Sequence, residues 1–231
     1  KASLSTKSYL KHGTSSILCF CINCLTPFEK TLFIQFFFRF NFSNMSISRV
    51  VCSFLCICFI DYMIIHIMKN KDNSSRWFML HFSVNFIVTI LSSCGLVHFL
   101  QNPLFAMMTT ENGETIFSAE SKWPLTLVIC LHFYHCLRFK LSYQDKLHHF
   151  LFIPTLGIPG LILDWGCFSN YLVFFICGLP GGIDYLLLSL QKQGKALKWN
   201  QKKICANLNM WVRLPGILLA IGVAFVIFKE K

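Results

Sequence analysis

Charged residues are scarce in this chain. Asp, Glu, Lys and Arg make up 13% of its 231 residues, whereas hydrophobic types make up 55%. Soluble domains carry about 25% charged residues, so the composition excludes an ordinary soluble domain. The formal net charge of +11 does not indicate a nucleic-acid-binding protein. The basic residues lie mainly in short segments between apolar runs, and no basic domain remains once those runs are set aside.

A cysteine framework is also missing, although the chain contains 12 cysteines. Most of them lie inside apolar runs, where cysteine behaves as a small buried hydrophobe. These are Cys52, Cys56, Cys58, Cys94, Cys130, Cys136 and Cys177. Cys19, Cys21 and Cys24 are not followed by a second Cys or His pair at zinc spacing. The sequence therefore predicts no disulfide scaffold, no metal and no other cofactor.

The chain instead contains a series of apolar runs. A helix needs about 20 consecutive apolar residues to cross a bilayer. We predict an all-α fold, a polytopic transmembrane helix bundle of about six spans. The predicted spans cover residues 46–68, 76–100, 123–139, 148–163, 169–190 and 208–228. Prolines and glycines interrupt the fourth and fifth spans, so we predict kinks in both helices.

The domain boundary is predicted at the first methionine, Met45. Residues 1–44 are rich in Ser, Cys and Phe, and we predict a poorly structured segment that is not part of the natural product. The alternative is a targeting segment or an extra membrane-associated helix. Residues 45–231 form the predicted transmembrane domain. Basic residues crowd the loops after the first, third and fifth spans, which places those loops in the cytoplasm by the positive-inside rule.

The most distinctive polar stretch contains Asp145, His148 and His149. Residues three and four apart share a helix face, so Asp145 is placed to hydrogen-bond one imidazole and fix its tautomer. A neutral histidine can take a proton from an amine or hydroxyl nucleophile. We therefore name His148, His149 and Asp145 as candidate catalytic residues, with Asp184 of the fifth span completing the group.

Other polar residues of the predicted spans are candidates for lining a lipid site or cavity. They are His132, His135 and Tyr134 of the third span and Arg76 and His81 of the second. His132 and His135 lie one helical turn apart, so they share a face. Asp61 of the first span is also a candidate functional residue, because placing a carboxylate within a membrane costs free energy. We expect Asp61 to sit near the interface or to pair with a neighbouring helix.

These features together resemble the TLC-domain family of multi-span membrane proteins, which includes the ceramide synthases. The resemblance covers residues 76–228. It is carried by Arg76 and His81 in an early span, by Asp145 before His148 and His149, and by the polar break at 178–182 before Asp184. The resemblance implies a helical membrane fold and a connection to lipids, in the endoplasmic reticulum or another internal membrane.

The ceramide-synthase branch of that family associates the histidine pair with acyl transfer from acyl-CoA to a sphingoid amine. This chain departs from the longer signature of that branch, because Pro180 and Gly181 stand where a His and a first Asp are expected. The preferred interpretation is therefore lipid binding, sensing or membrane lipid homeostasis, with membrane lipids as partners. The alternative is an acyl-CoA-dependent lipid N-acyltransferase that uses His148 and His149.

Two further interpretations of the histidines stay open. The spacing of His132 and His135, followed by His148 and His149, is similar to the histidine boxes of membrane desaturases, but the remaining histidines are scattered. The simplest interpretation is that His148 and His149 are interfacial residues whose rings extend towards the lipid headgroups.

Overall fold

The described part of the chain is helical throughout. The computed structural model describes residues 47–66, 73–105, 122–163 and 165–230, and no strand occurs in these ranges. The all-α prediction is confirmed for them. The prediction for residues 1–44 lies outside the described residues, and the described ranges belong to one compact unit, Met45–Lys231.

Six helical segments follow one another in the described ranges. They are α1 (Ile47–His66), α2 (Asn73–Gln101), α3 (Trp123–Arg138), α4 (residues 143–162), α5 (Cys167–Lys192) and α6 (residues 198–230). A single 3₁₀ turn, Pro103–Phe105, follows α2. The last three segments each contain one π-helical turn, at Ile153–Gly157 in α4, Phe174–Gly178 in α5 and Asn209–Arg213 in α6.

Four of the helices are long and apolar enough to cross a membrane. These are Ile47–His66, Ser75–Gln101, Cys167–Lys192 and Lys198–Lys229. They correspond to the predicted first, second, fifth and sixth spans, although the last begins at Lys198 rather than at residue 208 as predicted. The third predicted span corresponds to α3, which has only 16 residues. The fourth corresponds to α4, whose first turns are polar. Of the six predicted spans, four are thus confirmed as candidate membrane-spanning helices.

Proline explains the three π-helical turns. The residue before each proline donates its N–H to a carbonyl five positions earlier, as Ile158 does to Ile153, Leu179 to Phe174 and Leu214 to Asn209. Proline has no N–H, and its ring crowds the carbonyl four residues before it. Widening the preceding turn relieves that crowding. Two of these turns fall in the helices predicted to be kinked, and the third, before Pro215, was not predicted.

Neighbouring helices run antiparallel at close range. A Cβ atom built on Gly160 would lie 2.6 Å from Leu125 Cδ2, and one on Gly157 would lie 3.1 Å from Ile129 Cδ1. Later residues of α4 therefore contact earlier residues of α3, so the two helices are antiparallel. Glycines at these crossings let the backbones approach closely, which is how helices associate within membranes.

One end of the bundle collects the ends of α1, α3 and α5 and the starts of α2, α4 and α6. Ser189 near the end of α5 donates a hydrogen bond to the Ser75 carbonyl at the start of α2, at 3.2 Å. Exposed basic side chains surround this end, which we call the basic end. They are Arg138, Lys140, Lys146, Lys192, Lys195, Lys198, Lys202 and Lys203.

The opposite end is held together by aromatic and aliphatic packing. Phe99 and Tyr171 stack with ring centroids 3.9 Å apart, and the Tyr171 hydroxyl donates to the Gly216 carbonyl at 3.0 Å. Ala220 and Val223 of α6 are buried in the same cluster. These contacts fix α6 against α5, and the ring of Phe175 presses directly on Gly216.

We expect Gly216→Ala to destabilise the bundle by about 1–3 kcal/mol, because its methyl group would overlap the Phe175 ring. Gly222→Ala on the same helix is the matched control, since nothing lies within 4 Å of a Cβ atom there. Alanine should leave stability unchanged or raise it by up to about 1 kcal/mol at that position. Thermal unfolding in detergent micelles measures both, and equal losses would contradict the packing described here.

Candidate functional site

A buried ion pair joins the first three helices near the basic end. Arg76 Nε donates to Asp61 Oδ1 at 2.7 Å, and Arg76 Nη2 donates to Asp61 Oδ2. The Tyr134 hydroxyl donates to the same Oδ2 at 2.5 Å. Asp61 is only 2% exposed, so three hydrogen bonds replace the water that its carboxylate would otherwise bind. We call this arrangement the Asp61 network.

In the Asp61 network, Arg76 pairs with the Asp61 carboxylate and Tyr134 donates a further hydrogen bond to it. A bidentate pairing of guanidinium and carboxylate is among the strongest side-chain hydrogen-bonding arrangements. Arg76 also lies over the Phe139 ring, 5.1 Å from its centroid, which adds a cation–π contact. Asp61 therefore pairs with a neighbouring helix, as we expected. Arg76 and Tyr134, two of the five residues that the sequence named as cavity-lining candidates, are engaged with Asp61.

The five histidines of the second, third and fourth segments lie together, and we call them the histidine cluster. They are His81 of α2, His132 and His135 of α3, and His148 and His149 of α4. Ring centroids are 5.4 Å apart for His81 and His135, 4.8 Å for His132 and His149, and 5.6 Å for His132 and His148. His148 is exposed and the other four are buried.

A hydrogen-bonded chain runs through the middle of the cluster. Cys136 Sγ lies 3.1 Å from His149 Nδ1, and His149 Nε2 lies 3.2 Å from His135 Nδ1. Both ring nitrogens of His149 are therefore engaged. Cys136 was assigned only a packing role from the sequence. Its position directly after His135 in the sequence is the feature that could have identified it as part of the site.

Two other rings of the cluster are anchored to their own helices. His81 Nδ1 lies 3.1 Å from the Trp77 carbonyl, and His132 Nδ1 lies 2.7 Å from the Val128 carbonyl. A carbonyl only accepts, so both Nδ1 atoms carry the hydrogen. In a neutral imidazole, Nε2 then has a free lone pair. These rings are therefore oriented within the cluster by backbone groups four residues earlier.

Asp145 does not orient an imidazole, and the spacing argument was wrong on this point. Its backbone N–H donates to Ser142 Oγ at 3.2 Å, and its Oδ2 accepts the Ser142 backbone N–H at 3.1 Å. This reciprocal pair is a capping box at the start of α4. Helical side chains lean towards the N-terminus, so the carboxylate reaches back to Ser142 and away from the histidines.

Asp184 also takes its hydrogen bonds outside the histidine cluster. Its Oδ1 accepts from Cys205 Sγ at 2.7 Å and from Gln201 Nε2 at 3.1 Å, so it ties α5 to α6. The next residue, Tyr185, is the one that reaches the cluster, with its ring centroid 4.6 Å from that of His81. The catalytic assignments themselves stay predictions.

A small apolar cleft, about 40 Å³ in volume, borders the histidine cluster. Its lining residues come from α3, α4, α5 and the connection between α4 and α5. They are Leu125, Phe152, Leu156, Gly160, Trp165, Ser169, Leu172, Val173, Ile176 and Cys177. The Ser169 hydroxyl donates to the Gly166 carbonyl at 3.1 Å, so it is satisfied within the helix. Phe152 stacks on His132, with ring centroids 4.8 Å apart, and so connects the cleft to the cluster.

Within the ranges that the structure describes, no group of three or more His, Cys, Asp or Glu side chains is arranged to hold a metal ion. No family model matches the chain, and no curated protein or solved structure is significantly similar to it. The comparisons give the TLC-domain resemblance no support, and it stays a prediction. Over the described residues, the fold and site define a helical protein with four candidate membrane spans, a buried ion pair and a histidine cluster.

We expect Asp61→Leu to destabilise the protein by about 3–5 kcal/mol, because it leaves the Arg76 guanidinium buried without its counter-ion. Replacing both partners, as in Asp61→Leu with Arg76→Met, removes the uncompensated charge. Most of the lost stability should then return. Titration of purified protein with a denaturing detergent measures the three forms. A double variant as unstable as Asp61→Leu would show that the pairing is not the source of the effect.

Proposed function

We propose that this protein binds a membrane lipid, with an acyl chain in the apolar cleft and the headgroup directed towards the basic end. The observation that carries the proposal is the cleft itself. Its volume of about 40 Å³ is well below the 300–1,000 Å³ typical of enclosed small-molecule sites, so its apolar walls suit a short stretch of an acyl chain rather than a whole enclosed lipid. Its one hydroxyl side chain, Ser169, is already satisfied.

The direction of the lipid follows from what lies at each end of the cleft. Phe152 marks one end, and the exposed His148 precedes it by about one turn of α4. Beyond His148 come Lys146 and Lys140 at the basic end, where positive charge favours phosphate-bearing headgroups. Trp165 lies at the other end of the cleft. A chain that enters beside Phe152 therefore keeps its headgroup near the cations.

The proposal includes three finer points that the sequence suggested. All six helical segments cross the membrane, with the basic end on the cytoplasmic side. The membrane is that of the endoplasmic reticulum or another internal compartment. The protein acts in lipid binding, sensing or lipid homeostasis, in the manner implied by the resemblance to the TLC-domain family. The support is the common placement of the ends of α1, α3 and α5 and the alternation of loop charge.

The cleft is tested with phosphatidylcholine that carries a diazirine on one acyl chain. On irradiation we expect labelled peptides to include the cleft residues Leu172 and Ile176. Leu156→Trp fills the cleft and should reduce that labelling by about tenfold, the loss expected when a chain is excluded from an apolar site. Leu151→Trp, on the same helix but outside the cleft, is the control. Uniform labelling of all lipid-facing helices would contradict a specific site.

A second candidate function is the acyl-CoA-dependent lipid N-acyltransferase, and one observation favours it. The exposed His148 lies beside His149, with ring centroids 5.7 Å apart, so its imidazole is accessible to a nucleophile as a general base must be, whereas both ring nitrogens of His149 are already engaged with Cys136 and His135. The exposed Arg138 and Lys140 supply positive charge for the phosphates of acyl-CoA.

This activity is tested in a host that lacks its own ceramide synthases and is supplied with a sphingoid base. If the protein is an acyltransferase, we expect ceramides with the unsubstituted chain, and their loss with His148→Ala and His149→Ala together. The Gly222→Ala variant is the control, because nothing lies within 4 Å of a Cβ atom there and no candidate site residue is changed. Stable insertion of all three proteins without any ceramide would exclude this function and leave lipid binding as the proposal.

A further inference from the structure

Arg213 of α6 is a cation within an apolar helix, and the described ranges give it no carboxylate partner. The salt bridge within those ranges joins Arg76 to Asp61. Asp184 of α5 is instead engaged with Cys205. An unpaired charge within a membrane is costly, so the Arg213 guanidinium calls for an anion.

A backbone carbonyl of α5 orients one edge of that guanidinium. Leu179 donates its N–H to Phe174 rather than to Phe175, and Pro180 has no N–H to donate. The Phe175 carbonyl therefore lacks a helical donor, and Arg213 Nε donates to it at 3.4 Å. The π-helical turn of α5 thus holds the Nε edge against the bundle.

The other edge of the guanidinium lies at the surface. Arg213 Nη1 donates to Asn209 Oδ1 at 2.5 Å, and this hydrogen bond is exposed. The neighbouring side chains of Met210, Trp211 and Leu214 are exposed as well, so a ligand can reach this edge. A guanidinium has five N–H groups, and the two bonds to Phe175 and Asn209 use only two of them.

The position of Arg213 along α6 places it at the level of lipid headgroups. Leu214–Glu230, the stretch that follows it, has 17 residues and is about 25 Å long at 1.5 Å per residue. The hydrocarbon core of a bilayer is about 30 Å thick, so Arg213 lies at the edge of that core nearer the basic end. The exposed Trp211 fits this level, because tryptophan is enriched at the membrane–water interface.

The chemistry of the exposed edge selects an anionic phosphate group. A phosphodiester has two unesterified oxygens, which match the paired N–H groups of a guanidinium. A zwitterionic headgroup brings its own cation, whereas an anionic headgroup compensates the charge of Arg213. Lys202 and Lys203, which are exposed on the same helix towards the basic end, add to the attraction for anionic lipids.

We propose that Arg213 binds the phosphate group of an anionic phospholipid on the surface of α6. An acyl chain of that lipid would lie along Leu218, Ile221 and Phe225, which are exposed and share one face of the helix. Arg213 is not among the residues that line the apolar cleft. The site is therefore a second one, beyond the proposed binding of an acyl chain in the cleft.

The test uses dioleoylphosphatidylglycerol and dioleoylphosphatidylcholine as probes for the purified, full-length chain in micelles. Both lipids have the same acyl chains and a phosphate, but phosphatidylcholine also carries a cation. Native mass spectrometry measures the binding of each. We expect phosphatidylglycerol to bind about tenfold more tightly, a difference of about 1.4 kcal/mol. Arg213→Gln should abolish this preference, whereas Lys202→Gln, which removes the same charge from the same helix, should retain most of it.

Thermal unfolding with each lipid separates binding from the bond between Arg213 and the Phe175 carbonyl. Loss of that bond lowers the unfolding temperature equally with both lipids. Loss of the site also removes the extra stabilisation by phosphatidylglycerol. If Arg213→Gln does not fold, Arg213→Lys keeps the charge without the bidentate geometry and should reduce the preference about threefold.

Inorganic phosphate at the same concentration should not displace phosphatidylglycerol, and displacement would overturn the assignment to a lipid. Equal binding of the two lipids overturns the inference alone, as does an equal loss of preference in Lys202→Gln. If neither lipid binds, the proposed lipid-binding function fails with it.

Discussion

The Asp61 network is the constraint on which the rest of the polar structure depends. Asp61 is surrounded by protein and takes all of its hydrogen bonds from Arg76 and Tyr134. In a low-dielectric setting neither charge tolerates separation from the other. The network therefore fixes how α1, α2 and α3 are rotated against one another. Trp77 follows Arg76 and His135 follows Tyr134, so the same contact brings the indole and the imidazole together.

The histidine cluster is built on that frame by two different kinds of contact. Backbone carbonyls orient His81 and His132 within their own helices. His149 is instead oriented by side chains of α3, through Cys136 and His135. The bonds to backbone carbonyls orient a ring within its own helix only. The bonds from His149 to Cys136 and His135 also join α4 to α3. The apolar cleft begins where Phe152 stacks on His132, so the polar and apolar parts of the site share one wall.

The prediction from sequence was accurate where a local rule had no competitor. Long apolar runs have few alternatives to a helix within a membrane, and the described chain is helical. It was inaccurate for Asp145, where two local rules competed. The spacing to His148 and His149 suggested a hydrogen bond to an imidazole, but Ser142 stands three residues earlier. The capping box satisfies two backbone N–H groups at the start of α4, and the carboxylate is engaged there.

The sequence by itself determined the helices, their apolar character and the positions of the breaks, because these follow from short-range chemistry such as the missing N–H of proline. Only the tertiary structure decided which polar groups meet. Asp61 and Tyr134 are 73 residues apart in the chain, and Cys136 and His149 are 13 apart. Contacts of this kind depend on how each helix is rotated and shifted against its neighbours. Periodicity within one helix indicates a shared face but not the partner that the face will meet.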